Sequence, residues 1–346
     1  MSYRIGIDTL HLRPTDRLAH TEYCDSDTIV RAVTGLDPLK DGRTCRRFYD
    51  AWQIDYLWLT DDGPVPWSER GRTTDMGHAE YMEGGRDRRE ARPSPFKTVE
   101  EAWAFDAVEE YGLPDFDELV RYYEKWHNQV QAAYPDQVCG GGYYKTIVSG
   151  AIEAFGWEML LTAAADCEKF SRVLEGIFEL SLHHFKAWAK TSIEVFMCHD
   201  DIVWSEGAFM RPDFYRQAVF PRYRELWSVL KEAGKIVLFT SDGNYTEFLD
   251  DVAGAGADGF CFEPAVDLET VVSKFGKTHV IIGSEVDCRT LTFGTRDQIK
   301  DEIDATLEIA AGCPGFMFAV GNHIPDNVPV ENALFYFDYL SRHWHR

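Results

Sequence analysis

Four apolar runs between residues 235 and 332 each end in a small group of polar residues, and this repeat decides the fold. Residues 236–244 read IVLFTSDGN, residues 259–264 GFCFEP, residues 280–288 VIIGSEVDC and residues 316–325 FMFAVGNHIP. Helical patterns separate the four runs. A chain that repeats strand, polar tip and helix is typical of a parallel sheet whose chemistry lies at the carboxyl ends of the strands.

Three further strands are predicted upstream, at residues 54–59, 137–144 and 194–198. About seven strands at this spacing predict an α/β fold, a (β/α)8 TIM-type barrel in a single domain over residues 1–346, with one strand missed. We expect an N-terminal extension and a long insertion near residues 61–97; a domain boundary is the alternative for the insertion. A doubly wound open sheet is the alternative fold, but no Gly-rich phosphate turn follows its first strand.

The composition of the chain limits its partners. With 346 residues, of which 45% are hydrophobic, the chain can bury a large core. Its formal net charge of -23 argues against nucleic-acid and anionic-membrane partners. The sequence contains neither an apolar run near the length of a membrane span nor a signal-peptide pattern. Its eight cysteines are scattered without a CxxC pair, which is typical of reduced thiols, so we expect a cytoplasmic protein.

Side chains that follow the predicted strands are the first candidates for chemistry, because a barrel gathers them on one rim. Carboxylates together with an imidazole and a thiolate can hold Zn²⁺. Each acid can instead cap the next helix or make a turn bond. The predicted metal ligands are Asp242, Glu263, Asp287, Cys288 and His323.

A second group of candidates surrounds the strand that ends near residue 198. His199 beside Asp200 and Asp201 can act as a general base held in one tautomer. The two aspartates can equally bind backbone around the loop, and we expect one of them to face the site. Tyr143 and Tyr144 can line a pocket or pack in the core.

Several segments together resemble the uroporphyrinogen decarboxylase superfamily. The matching segments are residues 200–203 (DDIV), 212–216 (PDFYR), 221–223 (PRY), 255–259 (AGADG), 266–269 (VDLE), 282–287 (IGSEVD), 321–325 (GNHIP) and 329–332 (PVEN). The resemblance implies a (β/α)8 barrel with its site at the C-terminal rim. The superfamily includes tetrapyrrole decarboxylases and zinc-dependent, corrinoid-linked methyltransferases.

The chain departs from both branches of this superfamily. The decarboxylases grip substrate carboxylates with an Arg-rich N-terminal segment, of which only Arg13 and Arg17 remain here. Their strand-end aspartate corresponds to Asp55, Asp61 or Asp62. The methyltransferases bind zinc through a His-x-Cys at one strand end and a cysteine near the last strand; here residues 239–241 read FTS and no cysteine lies near Gly321. A metal would therefore need other ligands.

The resemblance makes a cobalamin (corrinoid)-dependent methyltransferase acting on a methylated small molecule our leading hypothesis, with zinc as the candidate metal. The alternatives are a decarboxylase of a tetrapyrrole or related acid and a non-catalytic corrinoid- or ligand-binding homologue. The expected partners are a small-molecule substrate, a corrinoid protein and a second copy of the chain in a homodimer. The predicted catalytic residues are His323, Asp242, Asp200, Glu285 and Tyr144, and the predicted substrate-binding residues are Asp55, Asp62, Tyr143, Glu206 and Arg17.

Overall fold

The computed structural model describes residues 2–76, 80–81, 87–88 and 93–346. Eight parallel strands form the centre of the fold, and the third is made of two segments separated by Gly140. The strands are β1 (Ala19–His20), β2 (Tyr56–Leu57), β3 (Val138–Cys139 and Gly141–Tyr143), β4 (Val195–His199), β5 (Ile236–Thr240), β6 (Gly259–Cys261), β7 (Val280–Gly283) and β8 (Phe316–Phe318).

The strands follow one another around the sheet in chain order. Parallel pairing runs from the second segment of β3 through β4, β5, β6, β7 and β8 to β1, and β2 pairs with the first segment of β3. The backbone N–H of Asp55, just before β2, donates to the carbonyl of His20 in β1 at 2.8 Å. This bond brings the first two strands together, so the arrangement is that of a (β/α)8 barrel.

One apolar cluster fills the interior of the barrel. In β4, Val195 and Met197 belong to this cluster, whereas Phe196 and Cys198 pack outward against the helices. This alternation is the period of two that a strand imposes. The other strands contribute Ala19, Tyr56, Val138, Leu238, Cys261, Val280, Ile282 and Met317. Leu10, from the first helix, closes the cluster from below, so the opposite, carboxyl end of the strands is left for chemistry.

Helices cover the outside of the barrel and form the outer half of the core. Their ends follow local signals: Ser26 accepts a hydrogen bond from the N–H of Ile29 at the start of the second helix, and Gly35, with a φ of 70°, ends it. The α-helices span Ser2–Leu10, Asp27–Thr34, Thr44–Ala51, Val99–Trp103, Ala107–Tyr111, Phe116–Ala133, Val148–Phe155, Trp157–Ala164, Cys167–Ala189, Pro212–Phe214, Phe220–Glu232, Leu249–Ala255, Leu268–Phe275, Cys288–Phe293, Arg296–Ala310 and Val330–His343. Short 3-10 helices span Trp67–Glu69 and Thr246–Phe248, and a π-helix spans Tyr215–Val219. Among the helices in the described ranges, none is both long and apolar enough to cross a bilayer.

Within the described residues, two short antiparallel pairs lie outside the barrel. Val203–Trp204 pairs with Gly207–Ala208 after β4. Glu80–Tyr81 pairs with Asp87–Arg88 inside the predicted insertion, whose residues 77–79, 82–86 and 89–92 lie outside the described part of the chain.

The predicted barrel is confirmed, and the open-sheet alternative is wrong. The strand that the sequence did not reveal is β1, within the region that we expected to be an N-terminal extension. Only two residues of β1 pair, and His20 is polar, so this segment carries no apolar run for a periodicity argument to detect.

Candidate active site

A pocket opens at the carboxyl ends of the strands. Residues at or just after the ends of β1, β2, β5, β6, β7 and β8 line it. They are Thr21, Glu22, Tyr23, Trp58, Thr240, Ser241, Asp242, Cys261, Phe262, Glu263, Ile282, Ala319, Val320 and Asn322. The structure therefore brings Asp242 and Glu263, two of the predicted strand-end acids, to one pocket.

Glu263 connects two of the loops around this pocket. Its carboxylate accepts hydrogen bonds from the backbone N–H of Gly243 at 2.8 Å and from the Asn322 side-chain amide at 2.7 Å. Asn322 has a φ of 66°, in the left-handed region that asparagine tolerates better than most residues. Neutral donors thus hold the carboxylate of Glu263 in place at the pocket wall.

Glu22 is a buried pocket residue that the sequence analysis missed. Its carboxylate accepts from the N–H of Val320 at 3.1 Å and from the hydroxyl of Tyr336, and it lies 3.0 Å from Nε2 of His20. Glu22 follows β1, the strand that was also missed. A strand-end rule would have found the glutamate had that strand been recognised.

A cluster of four polar side chains lies at the ends of β3, β4 and β5. Nε2 of His199 lies 3.2 Å from Oδ1 of Asp201, and the hydroxyl of Tyr144 donates to Oδ2 of Asp201 at 3.0 Å. The ring centroids of Tyr144 and His199 are 3.9 Å apart. The N–H of Asp242 also donates to Oδ1 of Asp201, at 3.0 Å. Among the described residues, His199, Asp201 and Asp242 form a group of potential metal ligands whose ligand atoms all lie within 4.8 Å of one another.

The two partners at the centre of this cluster shift each other's ionisation. Burial lowers the pKa of His199, but the carboxylates of Asp201, Asp242 and Asp200 together outweigh burial and leave this pKa raised. Burial raises the pKa of Asp201, but the imidazole of His199, the N–H of Asp242 and the hydroxyl of Tyr144 together outweigh burial and leave this pKa lowered. Burial and the neighbouring Asp201 raise the pKa of Tyr144, so its phenol is a hydrogen-bond donor at neutral pH.

Asp200, a predicted catalytic residue, points away from the pocket. Its carboxylate accepts from the backbone N–H groups of Ile147 and Val148, each at 3.1 Å, and from the N–H of Ser149 and the hydroxyl of Tyr223. Burial raises its pKa to about 6 against the opposing effect of these donors. Asp200 therefore anchors the start of the helix Val148–Phe155, and its neighbour Asp201 is the site-facing aspartate.

Of two predicted substrate-binding residues, Asp62 lies near the His199 cluster, whereas Tyr143 lies in the core. Asp62 accepts from the N–H of Tyr144 at 2.8 Å. Burial raises the pKa of Asp62, while Lys145 and His199 lower it, so its carboxyl lies near the His199 cluster. Tyr143 is fully buried and stacks on His184 with ring centroids 4.9 Å apart, away from the pocket.

The remaining predicted substrate-binding residues are not brought to the pocket. Arg17 and Asp55 precede β1 and β2 and form a buried ion pair at the amino end of the barrel, with Nη1–Oδ2 and Nη2–Oδ1 distances of 2.6 and 2.8 Å. Arg13, on the same side, binds Asp8 at 3.2 Å. Glu206 is exposed between the strands Val203–Trp204 and Gly207–Ala208.

The predicted site residues that follow β7, which are Glu285, Asp287 and Cys288, do not line this pocket. Glu285 lines a separate outer groove with Asp267 and Glu269. Burial raises its pKa, and those two carboxylates raise it further. Asp287 accepts from the N–H of Arg289 at 2.7 Å and caps the next helix. Burial raises the pKa of the Cys288 thiol to about 12.

His323 lies next to the pocket residue Asn322 and is not part of the His199 cluster. Its Nδ1 contacts Oδ1 of Asn322, and its ring meets that of Tyr23 edge to face at 5.9 Å. Burial lowers its pKa. Of the predicted metal ligands, only Asp242 belongs to the one three-ligand group found in the described residues.

The positions that hold zinc in the methyltransferase branch do not fit a zinc ion in this chain. At the end of β5, Phe239 and Ser241 stand where the methyltransferases have the imidazole and the thiolate. Ser241 uses its Oγ to donate to the carbonyl of Asp242 at 2.9 Å and to accept from the N–H of Ile202 at 3.1 Å. Soft or imidazole ligands, which zinc prefers, are therefore missing from this strand end.

Comparisons with known proteins agree on a family. The uroporphyrinogen decarboxylase (URO-D) family model matches residues 151–343. The chain is 29% identical over 175 residues to the uroporphyrinogen decarboxylase of Syntrophotalea carbinolica, covering 51% of this chain and 49% of that protein. It is 26% identical over 168 residues to that of Carboxydothermus hydrogenoformans, covering 49% and 46%. The chain thus spans about half the length of the curated relatives it matches.

A solved structure shares the fold over nearly the whole chain. A methyltransferase from Methanosarcina mazei superposes with a TM-score of 0.68 and 17% identity, covering 99% of this chain and 98% of its own. At this identity the likeness shows the fold alone. Because the family model covers more than half of the chain, the protein belongs to the uroporphyrinogen decarboxylase family of enzymes.

Proposed function

We propose that this protein is a methyltransferase that accepts a neutral or cationic methylated small molecule in the pocket at the barrel mouth. The methyl group would pass to a corrinoid, such as cobalamin, carried by a partner protein. A corrinoid supplies a nucleophilic cobalt centre for accepting a methyl group. This chain would supply the binding pocket and the orientation of the donor.

The charge of the pocket is the observation that carries the proposal. Asp242 and Glu263 place carboxylates at the pocket, and its lining, as far as the chain is described, contains no arginine, lysine or histidine. A tetrapyrrole that bears many carboxylates would meet like charges here, and like charges at close range disfavour binding. Arg17 does not relieve this repulsion, because it is paired with Asp55 at the other end of the barrel.

The aromatic residues of the pocket favour a methylated cation further. Tyr23, Trp58 and Phe262 line the same pocket as Asp242 and Glu263. Aromatic faces attract weakly hydrated cations such as quaternary ammonium groups, and the attraction grows when the site is shielded from water. Carboxylates and aromatic rings together therefore suit a donor in which the methyl group sits on a positively charged atom.

Decarboxylation of a carboxylic acid is the second candidate function. The observation in its favour is the 29% identity to a protein named uroporphyrinogen decarboxylase. This alignment covers 51% of the chain. A non-catalytic homologue that binds a corrinoid or another ligand is the third candidate.

The decisive experiment assays the purified protein for both decarboxylation and methyl transfer. We would incubate it with uroporphyrinogen and, separately, with cob(I)alamin and a panel of methylated ammonium, sulfonium and ether donors. Methylcobalamin formation, followed by its absorbance and dependent on one donor, is the expected result. Uroporphyrinogen turnover at enzymatic rates would overturn the proposal. Neither activity, with tight cobalamin binding, would favour the non-catalytic homologue.

A further inference from the structure

We propose that His199, Asp201 and Asp242 form a divalent-metal site that replaces the zinc ligands missing from the end of β5. The role of this metal in catalysis rests on the proposed function, whereas the binding of the metal does not. One imidazole nitrogen and two carboxylate oxygens lie within 4.8 Å of one another. Ligand atoms about 2.1 Å from a tetrahedral zinc lie about 3.4 Å apart, so the widest spacing in the cluster needs to contract by at most about 1.4 Å.

The surroundings of Asp201 hold its carboxylate in one orientation. The Tyr144 hydroxyl donates to Oδ2 and the N–H of Asp242 donates to Oδ1, each at 3.0 Å. The backbone N–H of Asp201 itself donates to Oγ of Ser149 at 2.8 Å. Outer hydrogen bonds of this kind fix metal ligands before the ion arrives and are a general feature of protein metal sites.

The local charge balance also favours a bound cation. Besides Asp201 and Asp242, the carboxyl groups of Asp62 and Asp200 act electrostatically on the His199 imidazole. The ammonium of Lys145, which also acts on Asp62, is bound to Glu153 at 2.8 Å. Four carboxyl groups thus act electrostatically on one imidazole, and a divalent ion bound by Asp201 and Asp242 would offset the repulsion between these two.

The ligand set points to zinc or manganese(II) rather than to a softer ion. One nitrogen and two oxygens suit both metals, whereas copper(I) prefers sulfur. Asp242 lines the pocket, so the metal would stand at the pocket wall. With three protein ligands, a tetrahedral ion keeps a position open for the substrate.

Direct metal binding tests the inference without any assay of turnover. The full chain, stripped with a chelator, would be titrated calorimetrically with Zn²⁺ and, separately, with Mn²⁺. We expect one equivalent of at least one metal to bind. Binding should weaken about 100-fold or more in His199→Ala and in the isosteric Asp201→Asn. Asp301→Asn, which removes an exposed acid from the outer helix Arg296–Ala310, is the matched control and should bind like wild type.

A second measurement distinguishes this site from His323, the other imidazole near the pocket. Cobalt(II) added to the stripped protein should give visible absorption bands that His199→Ala abolishes and His323→Ala preserves. Circular dichroism would establish that each variant is folded. The inference is overturned if wild type binds neither metal at micromolar concentrations, or if the His199 and Asp201 variants bind like wild type. Metal binding without methyl transfer would support the metal site and contradict the proposed function. Methyl transfer without a bound metal would support the proposed function and contradict the metal site.

Discussion

Arg17 and Asp55 form a bidentate ion pair at the amino end of the barrel, with N–O distances of 2.6 and 2.8 Å. The Arg17 side chain is 6% exposed and that of Asp55 is fully buried. The guanidinium also lies over the ring of Trp344, 4.4 Å from its centroid. This is the arginine that the family resemblance assigned to substrate binding, and the structure gives it a role in stability.

We therefore expect Arg17→Ala to destabilise the fold. The substitution leaves the carboxylate of Asp55 buried without its cation, a change that typically costs about 3 to 5 kcal/mol. Urea unfolding followed by tryptophan fluorescence would measure the loss. Substrate affinity in the folded fraction should stay near the wild-type value. If the variant kept wild-type stability but lost its affinity for substrate, Arg17 would be a substrate-binding residue after all.

Asp200 and Asp201 are neighbours in sequence, but substitution of Asp200 should lower stability whereas substitution of Asp201 should lower activity. Asp200→Ala removes the acceptor of three backbone N–H groups and the Tyr223 hydroxyl, so we expect a loss of about 3 to 5 kcal/mol in the free energy of unfolding. Asp201→Asn keeps its shape and should lose activity with little change in stability. Denaturant unfolding and initial rates on both variants would check this. Equal effects on stability would contradict the assignment.

His184 should make stability fall on acidification. Burial lowers its pKa from the ordinary 6.5 to about 3, and Nδ1 lies 2.6 Å from the hydroxyl of Tyr123. Between these two pH values the unfolded chain binds the extra proton, so the free energy of unfolding decreases as the pH falls through this window. One proton corresponds to a slope of up to about 1.4 kcal/mol per pH unit. In His184→Gln this contribution should vanish, as urea titrations from pH 7 to pH 4 would reveal. An unchanged slope would show that the imidazole is not the group responsible.

Gly243 should be required for the position of Asp242. It has a φ of 80°, and a Cβ atom there would lie 2.6 Å from the backbone of Trp204. Gly243→Ala should lower stability by about 1 to 3 kcal/mol and weaken metal binding, because the loop that carries Asp242 must shift. Gly254→Ala, in the helix Leu249–Ala255, meets nothing within 4 Å and should be neutral or stabilising. Unfolding and Zn²⁺ titration of both variants would test this contrast. Wild-type metal affinity in Gly243→Ala would argue against a fixed loop.

Some of the site was predictable because strand ends in a parallel barrel must share a rim. This rule placed Asp242 and Glu263 correctly in one pocket, although neither belongs to an informative motif. The same rule failed for Glu285 and Asp287. The loop after β7 turns the first toward an outer groove and uses the second as a helix cap. Hydrogen bonds within each loop decide these directions, and they depend on partners far along the chain.

The sequence by itself determined the barrel, because apolar runs of strand length alternate with amphipathic helices and this local order admits few topologies. It predicted too that the chemistry lies at the carboxyl ends of the strands. Only the tertiary structure decided that Asp201 faces the site while Asp200 caps a helix, and that Glu22 meets Val320 from the other end of the chain. The physical reason is range: periodicity reports which face of an element is buried, whereas the direction of a loop side chain follows from donors and charges that only the closed barrel brings within hydrogen-bonding distance.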